Sequence, residues 1–100
     1  MISVDDLAKI EIRIGTVLEA ERVPETDKLL KCLVDFGEVG EGGAPAPRTI
    51  VSGVAQYLSG PEVLVGRQLA YVTNLAPRVI KGIESNGMLF AVGKDDTFAF

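Results

Sequence analysis

The sequence predicts a small all-β barrel or sandwich, built as a single domain over residues 1–100. Three observations carry that expectation. Five short stretches alternate apolar and polar side chains with a period of two, the mark of half-buried strands. Glycine, proline and asparagine fall between those stretches, where turns belong. Helical signals are confined to two short pieces. With 47% apolar and 24% charged residues, the chain is richer in apolar side chains than a disordered segment would be.

Ser3-Val4-Asp5-Asp6 reads as a capped helical turn, with Ser3 as N-cap and Asp6 three residues on. It is too short to stand alone, so Val4 and Leu7 are expected to dock it on a sheet. Ile10, Ile12 and Ile14 then alternate with Glu11 and Arg13 as a first strand. Gly15 marks a change of phase to Val17-Leu18, which predicts a bulge or bend there. After the turn Val23–Asp27, the second strand points Leu30, Cys32, Val34 and Phe36 inward and Lys31 and Asp35 outward.

Residues Gly37–Arg48 hold four glycines and two prolines, composition for a mobile surface excursion. Thr49–Ser52 is a third strand, stopped at Gly53, and Val54–Leu58 forms one small helical turn. Gln68–Thr73 is the fourth strand, with Leu69 and Tyr71 opposite in facing to Ala70 and Val72. Asn74–Asn86 reads as a loop. Asn86-Gly87 signals positive φ just before the fifth strand, Met88–Val92. Thr97–Phe100 can add a last short strand.

Several chemistries are excluded. The chain has no histidine, which removes Ser-His-Asp catalysis and histidine-ligated metals. Cys32 is the sole cysteine, so neither a disulfide nor a CxxC site exists, and its place in an apolar strand marks an inert core thiol. No phosphate-binding GxxxxGK[ST] loop is present. A Ser85–Lys81 dyad would need a buried lysine of lowered pKa, and this loop is expected to be exposed. The expectation is a non-catalytic protein with no cofactor and no metal. No apolar run of about 18 residues exists to span a membrane, and two acids stand where a signal peptide would be basic. A cytoplasmic address follows.

Lys and Arg number 10 against 14 Asp and Glu, a net charge of −4. The imbalance is uneven. Residues 1–46 carry ten acids and five bases, whereas residues 47–94 carry five bases and only Glu62 and Glu84; Asp95 and Asp96 follow. An acidic whole is a poor general ligand for nucleic acid, but a locally basic half can form one binding face.

Four segments carry a likeness to a known family: IEIRIGTVLEAERVPETDKLLKCLVDFGE, RTIVSGVAQYL, GRQLAYVTNLAPRVIKGIESNGMLFA and the spacing between them. With P-x-x-D-K-L, I-V-S-G, N-L-x-P and G-I-E-S-x-G-M in order, the chain resembles, over roughly residues 5–93, the tRNA-binding domain. That domain occurs free-standing or at the C-terminus of methionyl-tRNA synthetases. The resemblance implies an OB-fold, here a five-stranded barrel, and a function of binding the folded tRNA body by shape. Its implied partners are tRNA, methionyl-tRNA synthetase and a second copy of the chain.

Position by position, the resemblance points to Lys28, Ser52, Asn74, Arg78, Lys81, Ser85 and Met88. Arg78 and Lys81 are the phosphate candidates of the basic half, and Lys28 is a third cation at the start of strand two. Ser52 and Asn74 can donate to phosphate or ribose, or can equally satisfy local backbone. Ser85 and Met88 flank the Asn86-Gly87 turn, and Glu84 is expected to brace Lys81 or Arg78. Two departures weaken the basic surface: Val23 precedes Pro24 where many members have histidine, and Val79 stands where many have lysine. The runner-up is a secretion-chaperone-like OB module that grips unfolded polypeptide in apolar pockets. Single-strand binding by base stacking is disfavoured, because Phe36, Tyr71 and Phe90 fall in apolar strand patterns and leave only Tyr57 outside them.

Overall fold

The computed structural model describes residues 1–94 and 97–99; Asp95, Asp96 and Phe100, read above as charge and as a strand end, lie outside them. A capped turn, α1 (Val4–Leu7), precedes the long strand β1 (Ile12–Arg22). Then come β2 (Leu30–Asp35), β3 (Arg48–Ser52) and β4 (Gln68–Val72). The short strands β5 (Arg78–Ile80), β6 (Ile83–Ser85), β7 (Met88–Leu89), β8 (Val92–Lys94) and β9 (Thr97–Ala99) complete the order.

One antiparallel sheet in the order β3-β2-β1-β4-β7 forms the body. Its centre is β1, which gives its first half to β4 (Ile12 opposite Val72, Thr16 opposite Gln68) and its second half to β2 (Thr16 opposite Asp35, Arg22 opposite Leu30). A strand that changes partner midway must coil, and coiling curls the sheet until its edges meet. Edge strand β3 is met by the end of β6: Asn86 N–H donates to the Thr49 carbonyl at 2.8 Å, and Val51 N–H donates to Ser85 Oγ at 2.9 Å. The result is a nearly closed, five-stranded, OB-like barrel with very little helix. Leu30, Val34, Ile50, Leu64 and Tyr71 fill its interior, together with Val17.

The second and fourth strands face as their alternation predicts, with Leu30, Cys32, Val34, Leu69 and Tyr71 inside. Cys32 is buried, and burial pushes its thiol pKa up to about 11, which keeps it protonated and unreactive. Burial likewise raises the Tyr71 phenol, whose ring meets Phe36 edge-on at 5.4 Å between centroids.

The first strand departs from its pattern. Arg13, Gly15 and Val17 take the inward side, while Ile12 and Ile14 face outward, 46% and 60% exposed. The cause lies at Gly15. A Cβ there would stand 2.5 Å from Val34 Cγ1 and 2.7 Å from Phe36 Cε1, so β1 crosses the core with its backbone pressed on those side chains. The bulge comes later, between Val17 and Glu19, where Leu18 is the extra residue. The turn α1 has its capping box, with Ser3 Oγ accepting from Asp6 N–H and Asp6 accepting from Ser3 N–H, but none of its residues is buried. Val4 and Leu7 are exposed rather than docked.

Residues 37–48 fold back on themselves rather than wandering. Val39 bridges Pro45, Ala46 N–H donates to the Glu38 carbonyl, and Glu41–Gly43 forms a single 3-10 turn. The expected loop 74–86 contains the β5–β6 hairpin, whose turn residues Lys81 and Gly82 both have positive φ (51° and 77°), as a type I′ turn requires. The fifth strand ends at Leu89, because the chain leaves β4 after Phe90 to begin the β8–β9 hairpin. A second short helical turn, Pro61–Leu64, joins the expected one at Ala55–Tyr57.

Candidate nucleic-acid interface

The site grows from the seam where β3 ends against β6 and β7. Gly53 stops β3, the residues after β4 turn back across the barrel end, and the β5–β6 hairpin returns the chain to β3. A cavity of about 180 Å³ opens there, lined by Ser52, Val54, Leu75, Arg78, Ser85 and Met88 among others. Four of the seven residues singled out in the sequence therefore meet at one place.

The lining carries one charge, Arg78, and no carboxylate. Lys81 sits one residue beyond the lining residue Ile80, held at the hairpin tip by its left-handed backbone. Lys28 lies next to the seam, its carbonyl accepting from Ala55 N–H at 2.9 Å, beside the lining residue Val54. Among the described residues, Lys28, Arg78 and Lys81 make no ion pair, so their charges are open to a ligand.

Two other arginines, Arg48 of the same half and Arg13 of the first half, are not equivalent to these. Arg48 donates through Nε and Nη2 to both Glu38 oxygens at 2.8 Å and through Nη1 to the Thr73 carbonyl at 2.8 Å. Arg13 donates to the Phe36 carbonyl and pairs with Glu38 at 3.4 Å, and both guanidiniums lie over the Phe36 ring. Arg48 beside it holds the Glu38 carboxyl below the usual carboxylate range. This trio is a plug at one end of the barrel, and nothing in the spacing of Arg13, Glu38 and Arg48 exposes it. The available signal was an acid and a base near the two ends of a glycine-rich loop.

The remaining site residues divide by what their side chains already hold. Ser85 is buried; its hydroxyl accepts from Val51 N–H and donates to the Gly87 carbonyl at 3.3 Å. It satisfies a backbone donor of β3 at the open edge of the sheet. Asn74 is a clamp: its Oδ1 accepts from Glu11 N–H at 2.9 Å and its Nδ2 donates to the Lys9 carbonyl at 2.7 Å. It thereby ties the segment before β1 to the end of β4, far from the local turn its sequence position suggests. Ser52 makes no hydrogen bond through its hydroxyl among the described residues. Met88 is half exposed and stands opposite Val72, in register with Ile12. Glu84 pairs with Val79 across the hairpin and forms no ion pair with Arg78 or Lys81. No group of three or more His, Cys, Asp or Glu that could hold a metal is found among the described residues. No helix there is long and apolar enough to cross a membrane.

Residues 12–99 match the family described as "Putative tRNA binding domain". The chain belongs to that family. Within the tRNA-binding-domain family, a methionine–tRNA ligase of Porphyromonas gingivalis is 47% identical over 95 residues, covering 95% of this chain but 13% of that protein. The chain thus spans about an eighth of the length of the curated relatives it matches. Among solved structures, a MetRS-related protein from Pyrococcus horikoshii superposes with a TM-score of 0.82 at 38% identity, covering 96% of this chain and 81% of the other. A chaperone CsaA from Bacillus anthracis superposes at 0.76 and 26% identity, covering 99% and 85%.

Proposed function

We propose that this chain is a non-catalytic module that binds folded tRNA by shape and serves methionyl-tRNA synthetase in the cytoplasm, as a part of that enzyme or beside it. The observation that carries the reading is the coincidence of a family match over residues 12–99 with three unpaired cations, Lys28, Arg78 and Lys81, around one seam. Lysine and arginine at loop and hairpin positions meet phosphates without reading bases, and folded RNA presents phosphates and 2′-hydroxyls in fixed array. Ser85 and Asn74 serve by holding the seam and the β4 end in place, while Ser52 offers a donor to ribose or phosphate.

Two copies of the chain pair through the outward face of β1 and its neighbours. Ile12, Val72 and Met88 form one row across three strands, and Ile14, Ala70 and Phe90 form the next, Phe90 N–H donating to the Ala70 carbonyl. Such a face on both partners suits an isologous two-fold contact. The exposed members of that face, Ile12, Ile14, Met88 and Phe90, with the CsaA likeness, support the runner-up, a module that grips unfolded polypeptide.

Fluorescence anisotropy separates the readings: labelled tRNA against single-stranded RNA of equal length, across a salt series. With about three phosphate contacts the log–log slope against salt is near −3. Preference for folded tRNA with that slope upholds the module. Absence of binding to either RNA at low salt, with suppression of aggregation of an unfolded protein, favours the runner-up. Sedimentation of the same sample as a dimer, abolished in Ile14→Glu, checks the pairing face.

A further inference from the structure

The seam cavity has more chemistry than phosphate binding uses. It holds about 180 Å³, well under the roughly 300–1,000 Å³ of a drug-sized pocket and close to the roughly 150 Å³ that accommodates a benzene ring in an engineered cavity. Its walls are the apolar side chains of Val51, Val54, Leu75 and Ile80. At its rim stand one unpaired guanidinium, Arg78, and the uncommitted hydroxyl of Ser52.

We propose that this cavity seats one unstacked pyrimidine of the bound RNA, with Arg78 on the adjoining phosphate and Ser52 on the edge of the base. The inference rests on the tRNA-binding reading and deepens it. A flat, weakly polar ring flanked by an anion matches a small apolar hole with a single cation and no carboxylate at its mouth. Folded RNA turns some unpaired bases outward, where they are bound by stacking and edge hydrogen bonds. A seated base also gives shape recognition an anchor: phosphates alone fix the distance between surfaces, whereas an inserted ring fixes the register.

The test is a methyl-labelled full chain followed by NMR during titration with 5′-UMP, 5′-AMP, inorganic phosphate and N-acetyl-leucinamide, in parallel with tRNA anisotropy. UMP is expected to shift the methyls of Val51, Val54 and Ile80, AMP to shift them less, and inorganic phosphate to leave them unmoved. Ala76→Trp, placed in the exposed loop on the rim, is expected to abolish the UMP shifts and weaken tRNA binding about fivefold or more, the scale expected when the burial of one small ring against aliphatic walls is lost. Ser52→Ala weakens UMP while leaving the fold intact, and Lys81→Asn weakens tRNA yet leaves the UMP shifts unchanged. If tRNA binds wild type but UMP leaves these methyls unmoved, or if Ala76→Trp binds tRNA as wild type does, the base pocket is overturned and the module reading stands. Filling by N-acetyl-leucinamide in place of UMP overturns it in favour of a peptide side chain, and equal filling by AMP overturns the single-ring assignment. No tRNA binding at all overturns both.

Discussion

The two ends of β3 hold cations in opposite states. At Arg48 the guanidinium is gripped by Glu38 and the Thr73 carbonyl and stacked on Phe36. Beyond Ser52, four residues and roughly 13 Å along the strand, Arg78 and Lys81 stand with no acid against them. Equal formal charge is thus committed to the protein's own groups at one end and left without an ion pair at the other. Counting bases along the chain puts all of them in one basic half and misses this division.

The largest way to break the contrast is to disturb the closed end. Gly15→Ala drives a methyl group into Val34 and Phe36 beneath the arginines; overpacking of this kind costs about 1–3 kcal/mol, and the upper part of that range is expected because both approaches fall below 3.0 Å. Urea denaturation reads it, and tRNA affinity measured below the unfolding transition should stay within about twofold. Glu38→Ala comes next, leaving two arginines without their carboxylate. The destabilisation is expected near 2 kcal/mol, the lower part of the range of about 1.5–3 kcal/mol for hydrogen bonds to charged groups, because Glu38 is partly exposed. A variant as stable as wild type would show the plug to be ornamental.

At the open end the signs reverse. Arg78→Ala with Lys81→Asn is expected to weaken tRNA binding about tenfold, or about 1.4 kcal/mol, and to flatten the salt slope by about one for each phosphate left without its cation, with no change in melting temperature. Asparagine is used at 81 because it tolerates the positive φ of 51°. Unchanged binding would move the RNA off this seam. The smallest effect is in pH. The Glu38 carboxyl lies below its ordinary value of 4.5 when folded, chiefly through its hydrogen bond to Arg48. Its contribution is therefore complete above the unfolded value and lost as pH falls through the folded one. Stability should decline below about pH 4.5 more steeply in wild type than in Glu38→Gln, a difference kept modest by the group's partial exposure.

Much of the fold was legible because alternation and turn residues agree over β2, β3 and β4. Alternation misled at β1, where Ile12 and Ile14 look like core and Arg13 like surface. The reversal comes from Gly15: one residue without a side chain lets β1 press against Val34 and Phe36, and parity then sends the isoleucines outward. The β5–β6 hairpin was missed because its turn is Lys81-Gly82, lacking the asparagine or aspartate that usually announces a type I′ turn. At the site, residue types at the right positions were visible, but their commitments were not. Ser85 and Asn74 are engaged with Val51 and with Glu11 and Lys9, partners that lie 34 and more than 60 residues away, and no local pattern encodes such distances.

The Lys81-Gly82 turn has a consequence for descent. Residues at ease with a left-handed backbone are glycine, asparagine and aspartate, and none of them is cationic. Ordinary drift at position 81 therefore runs downhill in conformational strain while it discards charge, leaving the hairpin as it was. Under the proposed function, grip on the RNA and shape of the barrel are separable at this one residue, and a substitution there can loosen the first without touching the second.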